Sequence, residues 1–484
     1  MNRTQLFRLL LSAFEYEATK DQQTVLSHLA AFLLSEKENP TYLLKGYAGT
    51  GKTSLVASLV KTLPQINMRY VLLAPTGRAA KVLANYTQKP ASTIHRKLYR
   101  HTTSTDGSLK VSRMPNKHKN TVFIIDEVSM ISDAMSENNY TTYDSLLNDL
   151  ISYVFSGENC RLLLIGDNAQ LPPVGLSESP ALDIKTLKNA FVLTAASFEM
   201  TEVMRQAGTS GILCNATKLR TILKETLSEN TFHFSLDNFS DISKVTSDTF
   251  EDLLHQAFGN RDITESVIIC RSNKRANAFN QAIRSRILFK EEVVESGDLL
   301  MVVKNNYFWL ETDDDSSGFI ANGDIIELLK INRIEELYGF QFADAEIRLV
   351  DYSDEKQLSV KIILDTLTSE TAALSESDNR RLFGAIEEDY SDIPNKRKRY
   401  EKIKTNPYFN ALQVKFAYAL TCHKTQGGQW SKVFVDGGMN PELFTNQASI
   451  RWLYTALTRA TENVYLVNFP DSCFAQNTPQ ADSF

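Results

Sequence analysis

GYAGTGKT, residues 46–53, lies between an apolar run, TYLLK (41–45), and a stretch with apolar residues at helical spacing, GKTSLVASLVKTL (51–63). Glycines in such a turn let backbone N–H groups close around phosphate oxygens where any Cβ would obstruct them. A helix starting there adds its partial positive charge. The segment fits the pattern G-x-x-x-x-G-K-[ST] in its required context, strand before and helix after. Gly46, Ala48, Gly49, Thr50, Gly51, Lys52, Thr53 and Ser54 are therefore expected around a triphosphate. Lys52 would reach the β- and γ-phosphates, and the Thr53 hydroxyl would ligate Mg²⁺.

Outward from this loop the pattern alternates. YVLLAP (70–75), TVFIIDE (121–127), RLLLIGD (161–167) and AFVLT (190–194) read, with TYLLK, as buried parallel strands. TTYDSLLNDLISYVF (141–155) reads as a helix between them. Residues 41 to 205 are thus expected to form a doubly wound α/β domain. Asp126 and Glu127 close a strand at its carboxyl end, where such sheets place ligand groups. One of these carboxylates can hold Mg²⁺ through water while its neighbour orients or deprotonates the attacking water. The alternative is an acidic pair that merely ends the strand. In LLLIGDNAQLPPVG (162–175), Gln170 is a candidate γ-phosphate sensor, with Pro172 and Pro173 stiffening the loop.

A second α/β region opens at ESVIIC (265–270) and the helical NKRANAFNQAIRSRIL (273–288). Between about 295 and 365 it is interrupted by DLLMVV (298–303), NGDIIELL (322–329), AEIRLVDY (345–352) and LSVKIIL (358–364). These short β-rich runs suggest a small barrel. A charged, helix-forming stretch follows, and the α/β pattern resumes at VKFAYALT (414–421). The expected segments are 1–40, an N-terminal helical part; 41–215, the first domain; 216–295, the start of the second; 296–410, the insertion; and 411–484, the remainder.

The 484 residues are 43% hydrophobic and 23% charged, the balance of a soluble globular protein, with no run near the ~20 apolar residues of a membrane span. LFRLLLSAF (6–14) is broken by Arg8 and followed by EYEATKD, so an amphipathic helix is expected rather than a signal peptide. Five scattered cysteines, Cys160, Cys214, Cys270, Cys422 and Cys473, form no C-x-x-C pair. They argue against a disulfide framework or zinc site and for a reducing compartment. A net charge of −6 does not advertise nucleic acid, yet a local basic channel suffices. Two stretches are locally basic: residues 96–119, with seven Lys/Arg against one acid, and KRKRYEKIK (396–404). The first reads as a hairpin or a solvated loop. The second reads as a phosphate-tracking segment or a solvated helix face.

Nine stretches in order resemble the motif set of superfamily-1 helicases, closest to the 5′→3′ branch of RecD-like, Dda-like and Pif-type enzymes. They are ATKDQQ (18–23), the loop itself, APTGRAAKVL (74–83) with ASTIHRKL (91–98), VFIIDEVSM (122–130), GDNAQLPPVG (166–175), TEVMRQ (201–206), TCHKTQGGQW (421–430) and YTALTRA (454–460). The resemblance implies two RecA-like motor domains, a basic pin hairpin at about 96–119 in the first, and a small SH3-like barrel carrying NGD (322–324) in the second. It makes Gln22 the adenine contact and adds Gln426 and Gly427 to the ATP site. Arg205 becomes a second cationic contact and Arg459 a finger that forks onto the γ-phosphate. Without the motif Arg459 would read as a charge at a helix end.

The same resemblance places Pro75, Thr76, Thr93, His95, His423, Lys424 and Thr425 on a DNA strand. Tyr99 and Trp430 are exposed-looking stacking candidates, with a core aromatic the alternative for each. No cysteine or histidine stands at ligand spacing from His95 or His423, which disfavours a metal there. The chain departs from many relatives at Gly427-Gly428-Gln429-Trp430, where they continue with polar or acidic residues. What the resemblance implies is an ATP- and Mg²⁺-dependent DNA helicase, working as a monomer on single strands and single-strand/duplex junctions. No membrane is involved, and the setting is cytoplasmic, of bacterial or phage type. An RNA helicase of the same superfamily and a nucleotide-switched clamp with little turnover are the alternatives.

Overall fold

Apolar residues alternate between two faces in every central strand of the first sheet, and this explains its burial on both sides. Tyr42, Leu44, Val122, Ile124, Leu163 and Ile165 pack into one core with the helices Arg3–Ser12, Lys20–Leu33 and Lys52–Thr62. Leu43, Phe123, Ile125, Leu162 and Leu164 pack into the other with the helix Leu146–Phe155. The computed structural model describes residues 1–103, 109–133, 145–203, 209–224, 232–259, 263–310, 320–350, 357–438 and 446–474, without the side chains of residues 100–111. The chain divides into two units. One holds Met1–Asn168, Pro172–Glu202 and Phe289–Ala417; the other holds Ala169–Leu171, Val203–Leu288 and Tyr418–Phe484.

The first unit contains β1 (Pro40–Gly46), β2 (Arg69–Ala74), β3 (Ser92–Thr93), β4 (Tyr99–Thr103), β5 (Leu109–Arg113), β6 (Thr121–Ile125), β7 (Arg161–Gly166) and β8 (Thr194–Met200). Six of these form a parallel sheet in the order β3-β2-β6-β7-β1-β8. The loop strand β1 is therefore flanked by β7 and β8, and β6 lies one strand beyond β7. The strand expected at AFVLT lies later, at Thr194–Met200. Val192 is 77% exposed at φ +52°, so the apolar run ends in a turn and the strand begins after it. β4 and β5 pair antiparallel from Tyr99↔Arg113 to Thr103↔Leu109, which makes the basic segment a hairpin. Its TDG turn (105–107) lies outside the described residues.

The same unit carries a closed five-stranded barrel, β11 (Leu299–Val302), β12 (Ile325–Leu337), β13 (Phe340–Leu349), β14 (Gln357–Ile363) and β15 (Leu412–Phe416). The β12–β13 hairpin turns through Tyr338 and Gly339 at φ +57° and +74°. Two positive φ values are what a tight hairpin loop needs to match the twist of its strands. The helices Glu376–Asp389 and Lys396–Lys404 pack Leu382, Ile386 and Ile403 over Phe340 and Phe342. VKFAYALT divides between two sheets: its first residues end β15, and the second sheet resumes at Ala419. A run buried from Val414 to Leu420 carries no signal of that break.

In chain order the barrel interrupts the second α/β region, but it groups with the first. Lys81 Nζ donates to the Val350 carbonyl at 3.0 Å. A Cβ on Gly323, in the NGD turn, would lie 3.7 Å from Thr76 Cγ2. The second unit is a five-stranded parallel sheet, adding β9 (Ile242–Lys244), β10 (Ser266–Cys270), β16 (Ala419–Thr421), β17 (Trp430–Asp436) and β18 (Ala460–Val467) in the order β16-β10-β17-β18-β9.

Candidate nucleotide and nucleic-acid site

The loop between β1 and the helix Lys52–Thr62 turns through Gly49 at φ +77° and Gly51 at φ +85°. Side chains rarely adopt this region, which is why glycine stands at both positions. Gly46 has a steric reason instead: a Cβ there would lie 2.9 Å from Thr50 Oγ1 and 3.2 Å from Met200 Cβ. The Thr50 hydroxyl donates to the Tyr47 carbonyl at 2.8 Å and closes the turn. Lys52 Nζ donates to the Gly46 and Tyr47 carbonyls at 2.6 and 3.0 Å, so the ammonium rests on the loop it serves. Tyr47 reaches the other way, its hydroxyl donating to Glu199 Oε1 at 2.6 Å.

Gln22 is fully buried. Its Nε2 donates to the Thr50 carbonyl at 3.0 Å, and its Oε1 accepts from the Thr19 amide at 2.9 Å in a capping box. The side chain expected on adenine thus braces the phosphate loop here. This link was not visible in the sequence, where ATKDQQ reads equally as a helix start.

Asp126 and Glu127 follow β6 on the same sheet edge. Asp126 Oδ1 accepts from the Glu127 amide at 2.9 Å. Glu127 stands at φ +53°, a left-handed conformation uncommon for a residue with a Cβ and concentrated at functional sites. Close packing beneath it requires Gly166 at the end of β7, since a Cβ there would lie 3.0 Å from Val128 Cγ2 and 3.3 Å from the Ser129 amide.

The second unit holds the remaining nucleotide candidates that are described. Gln170 is 5% exposed, and its Oε1 has no hydrogen-bond partner among the described residues. Gln426 Nε2 donates to the Leu171 carbonyl at 2.6 Å. Gly427 has φ +73°. Arg459 follows the helix Gln447–Leu457 and its cap Thr458, is 4% exposed, and donates to the Thr455 and Gly428 carbonyls at 3.2 and 3.3 Å. Arg205 lies outside the described residues.

The strand-contact candidates divide. Thr76 and Thr93 cap the helices Gly77–Thr87 and Ile94–Leu98, accepting from Ala79 N at 3.2 Å and Arg96 N at 3.1 Å. Ala74 and Thr93 are register partners, so Pro75, Thr76, Thr93 and His95 gather at one end of the β2–β3 pair. Thr93 is buried, and burial lowers the His95 pKa to about 4, leaving the ring neutral. Thr425 is buried with its hydroxyl on the Cys422 carbonyl at 2.8 Å. His423 and Lys424 lie on the same turn, Cys422–Thr425. Burial lowers the His423 pKa and brings Lys424 down to about 8.

Tyr99 and Trp430 are corrected. Both are 3% exposed, and the Tyr99 hydroxyl donates to Asp149 Oδ2 at 2.8 Å. Amphipathic aromatics at strand ends serve the core as readily as a ligand, and a buried ring offers no face for a base. Among residues not singled out by sequence, Arg271 follows β10, with its guanidinium 4.6 Å over the Trp452 ring.

Comparison with known proteins places these elements in context. Residues 30–176 match an AAA domain family, and residues 416–467 match the UvrD-like helicase C-terminal domain. The chain is 31% identical over 201 residues to the ATP-dependent RecD2 DNA helicase of Deinococcus radiodurans, a match covering 40% of this chain and 23% of that protein. It is 23% identical over 490 residues to the ATP-dependent DNA helicase dda of Enterobacteria phage T4, covering 93% of this chain and 99% of that one. Among solved structures, a Pif1 helicase from Bacteroides in complex with ADP-AlF3 and ssDNA is 15% identical, with TM-score 0.45 and coverage of 96% and 95%.

Proposed function

Because the chain belongs to the superfamily-1 helicases, in the branch of RecD-like and Dda-like enzymes, we propose that it hydrolyses ATP to move 5′→3′ along single-stranded DNA and to open duplex at junctions. The observation that carries this reading is the phosphate loop with Gly49 and Gly51 at positive φ, on the sheet whose β6 is followed by Asp126-Glu127. On binding nucleotide, Lys52 leaves the Gly46 and Tyr47 carbonyls for phosphate oxygens, and Glu127 orients and deprotonates the lytic water. Arg459 and Arg205 offset the charge developing on the γ-phosphoryl. Gln170 reports whether that group is present. Gln426 and Gly427 complete the nucleotide contacts.

Thr53 and Asp126 supply only oxygen donors. That fits Mg²⁺, which takes few protein ligands beside phosphates and water. When bound, the ion would neutralise phosphate charge. DNA would contact Pro75, Thr76, Thr93 and His95 in one unit and His423, Lys424 and Thr425 in the other, largely through backbone groups where hydroxyls are already committed. On the same reading the protein acts as a monomer in a reducing cytoplasm.

The test is steady-state ATP hydrolysis with no nucleic acid, with oligo(dT), and with RNA of equal length. DNA should stimulate turnover several-fold, and Lys52→Ala should abolish it. Unstimulated turnover would favour a clamp, and equal stimulation by RNA would favour the RNA enzyme.

A further inference from the structure

Ala169–Leu171 belong to the second unit, and two hydrogen bonds hold the segment there. The Leu171 amide donates to Thr455 Oγ1 at 2.9 Å, and the Leu171 carbonyl accepts from Gln426 Nε2 at 2.6 Å. Thr455 is fully buried, and its own hydroxyl proton goes to the Arg451 carbonyl at 2.7 Å. A hydroxyl has one proton and two lone pairs, so this arrangement uses the proton and leaves a lone pair for Leu171. The Thr455 carbonyl in turn accepts from Arg459 Nε at 3.2 Å. One residue thus touches both the sensor loop and the candidate finger. Beside it, Gln170 is 5% exposed with Oε1 unpartnered among the described residues, and a buried acceptor of that kind needs a physical reason.

We propose that Thr455 is a positioning residue that fixes the Gln170–Leu171 peptide, and with it the direction of the Gln170 carboxamide. The inference rests on the hydrolytic reading above. Valine matches threonine in shape but would leave the buried Leu171 amide without an acceptor. Serine keeps the acceptor.

The test measures turnover with oligo(dT) for the full chain, for Thr455→Val, Thr455→Ser and Gln170→Ala, and for the Thr455→Val/Gln170→Ala double variant. Thr455→Val should lower kcat about tenfold with KM for ATP within about twofold. Thr455→Ser should restore it, and the double variant should be no slower than Gln170→Ala alone. Unchanged kcat in Thr455→Val, an equal loss in Thr455→Ser, or losses that add in full would overturn the proposal. Hydrogen exchange at the Leu171 amide, which needs no turnover, should accelerate in Thr455→Val alone, and unchanged protection there also overturns it. Absence of turnover in the unmodified chain would count against the hydrolytic reading, leaving exchange to judge Thr455.

Discussion

Raising the pH from 7 to 9 should weaken single-stranded DNA binding about tenfold through Lys424. Burial lowers this ammonium from 10.5 to about 8. From that value, about nine-tenths of the free protein is charged at Lys424 at pH 7 and about one-tenth at pH 9. A DNA phosphate favours the charged form and draws the pKa back toward 10.5. Binding then takes up a proton above pH 8, so affinity falls as pH rises through the free-state value. With these limits, linkage gives about a tenfold change, about 1.4 kcal/mol, between pH 7 and 9. Neighbours do not confuse the sign: Cys422 is pushed up to about 12, and the His423 pKa is lowered, keeping that ring neutral across the window. Fluorescence anisotropy of labelled oligo(dT) at constant ionic strength measures the effect. Lys424→Arg, always charged, should bind with a flat profile. Flat binding by the unmodified protein, or the same fall in Lys424→Arg, would refute the reasoning.

Further outcomes follow from the nucleotide residues. Arg459→Ala should lower DNA-stimulated kcat by about 10³–10⁵, and melting should show a stability loss of about 1–3 kcal/mol as the Thr455 and Gly428 carbonyls lose a donor. A loss of kcat under tenfold would remove it from the reaction. Gly46→Ala puts a methyl 2.9 Å from Thr50 Oγ1, so the turn must open. KM for ATP should rise, with about 1–3 kcal/mol lost in thermal unfolding. Tyr47→Phe frees Glu199 Oε1 and should lower the melting temperature while leaving kcat within about twofold, because neither partner of the bond is assigned to the reaction.

The turn of the candidate phosphate loop was legible because its signal is local. Gly49, Gly51 and Lys52 form their turn within eight residues, and Asp126 follows an uninterrupted apolar run that only a buried strand explains. Legibility ended where distance in sequence began. Nothing in AFVLT distinguishes a strand from the turn that exposes Val192 before the real strand at Thr194. Tyr99 and Trp430 looked available because aromatic residues suit both core and surface, and only packing decides. The brace from Gln22 to Thr50 and the link from Leu171 to Thr455 span 28 and 284 residues, so no motif spacing could announce them. The hydrogen bond from Lys81 to the barrel's Val350 was hidden for the same reason.

Strand displacement on duplexes bearing a single 5′ or 3′ tail, with ATP and Mg²⁺, tests the central claim most directly. The account predicts opening of the 5′-tailed duplex alone, lost in Lys52→Ala. Equal opening of both, a preference for the 3′ tail, or activity surviving in Lys52→Ala would contradict it.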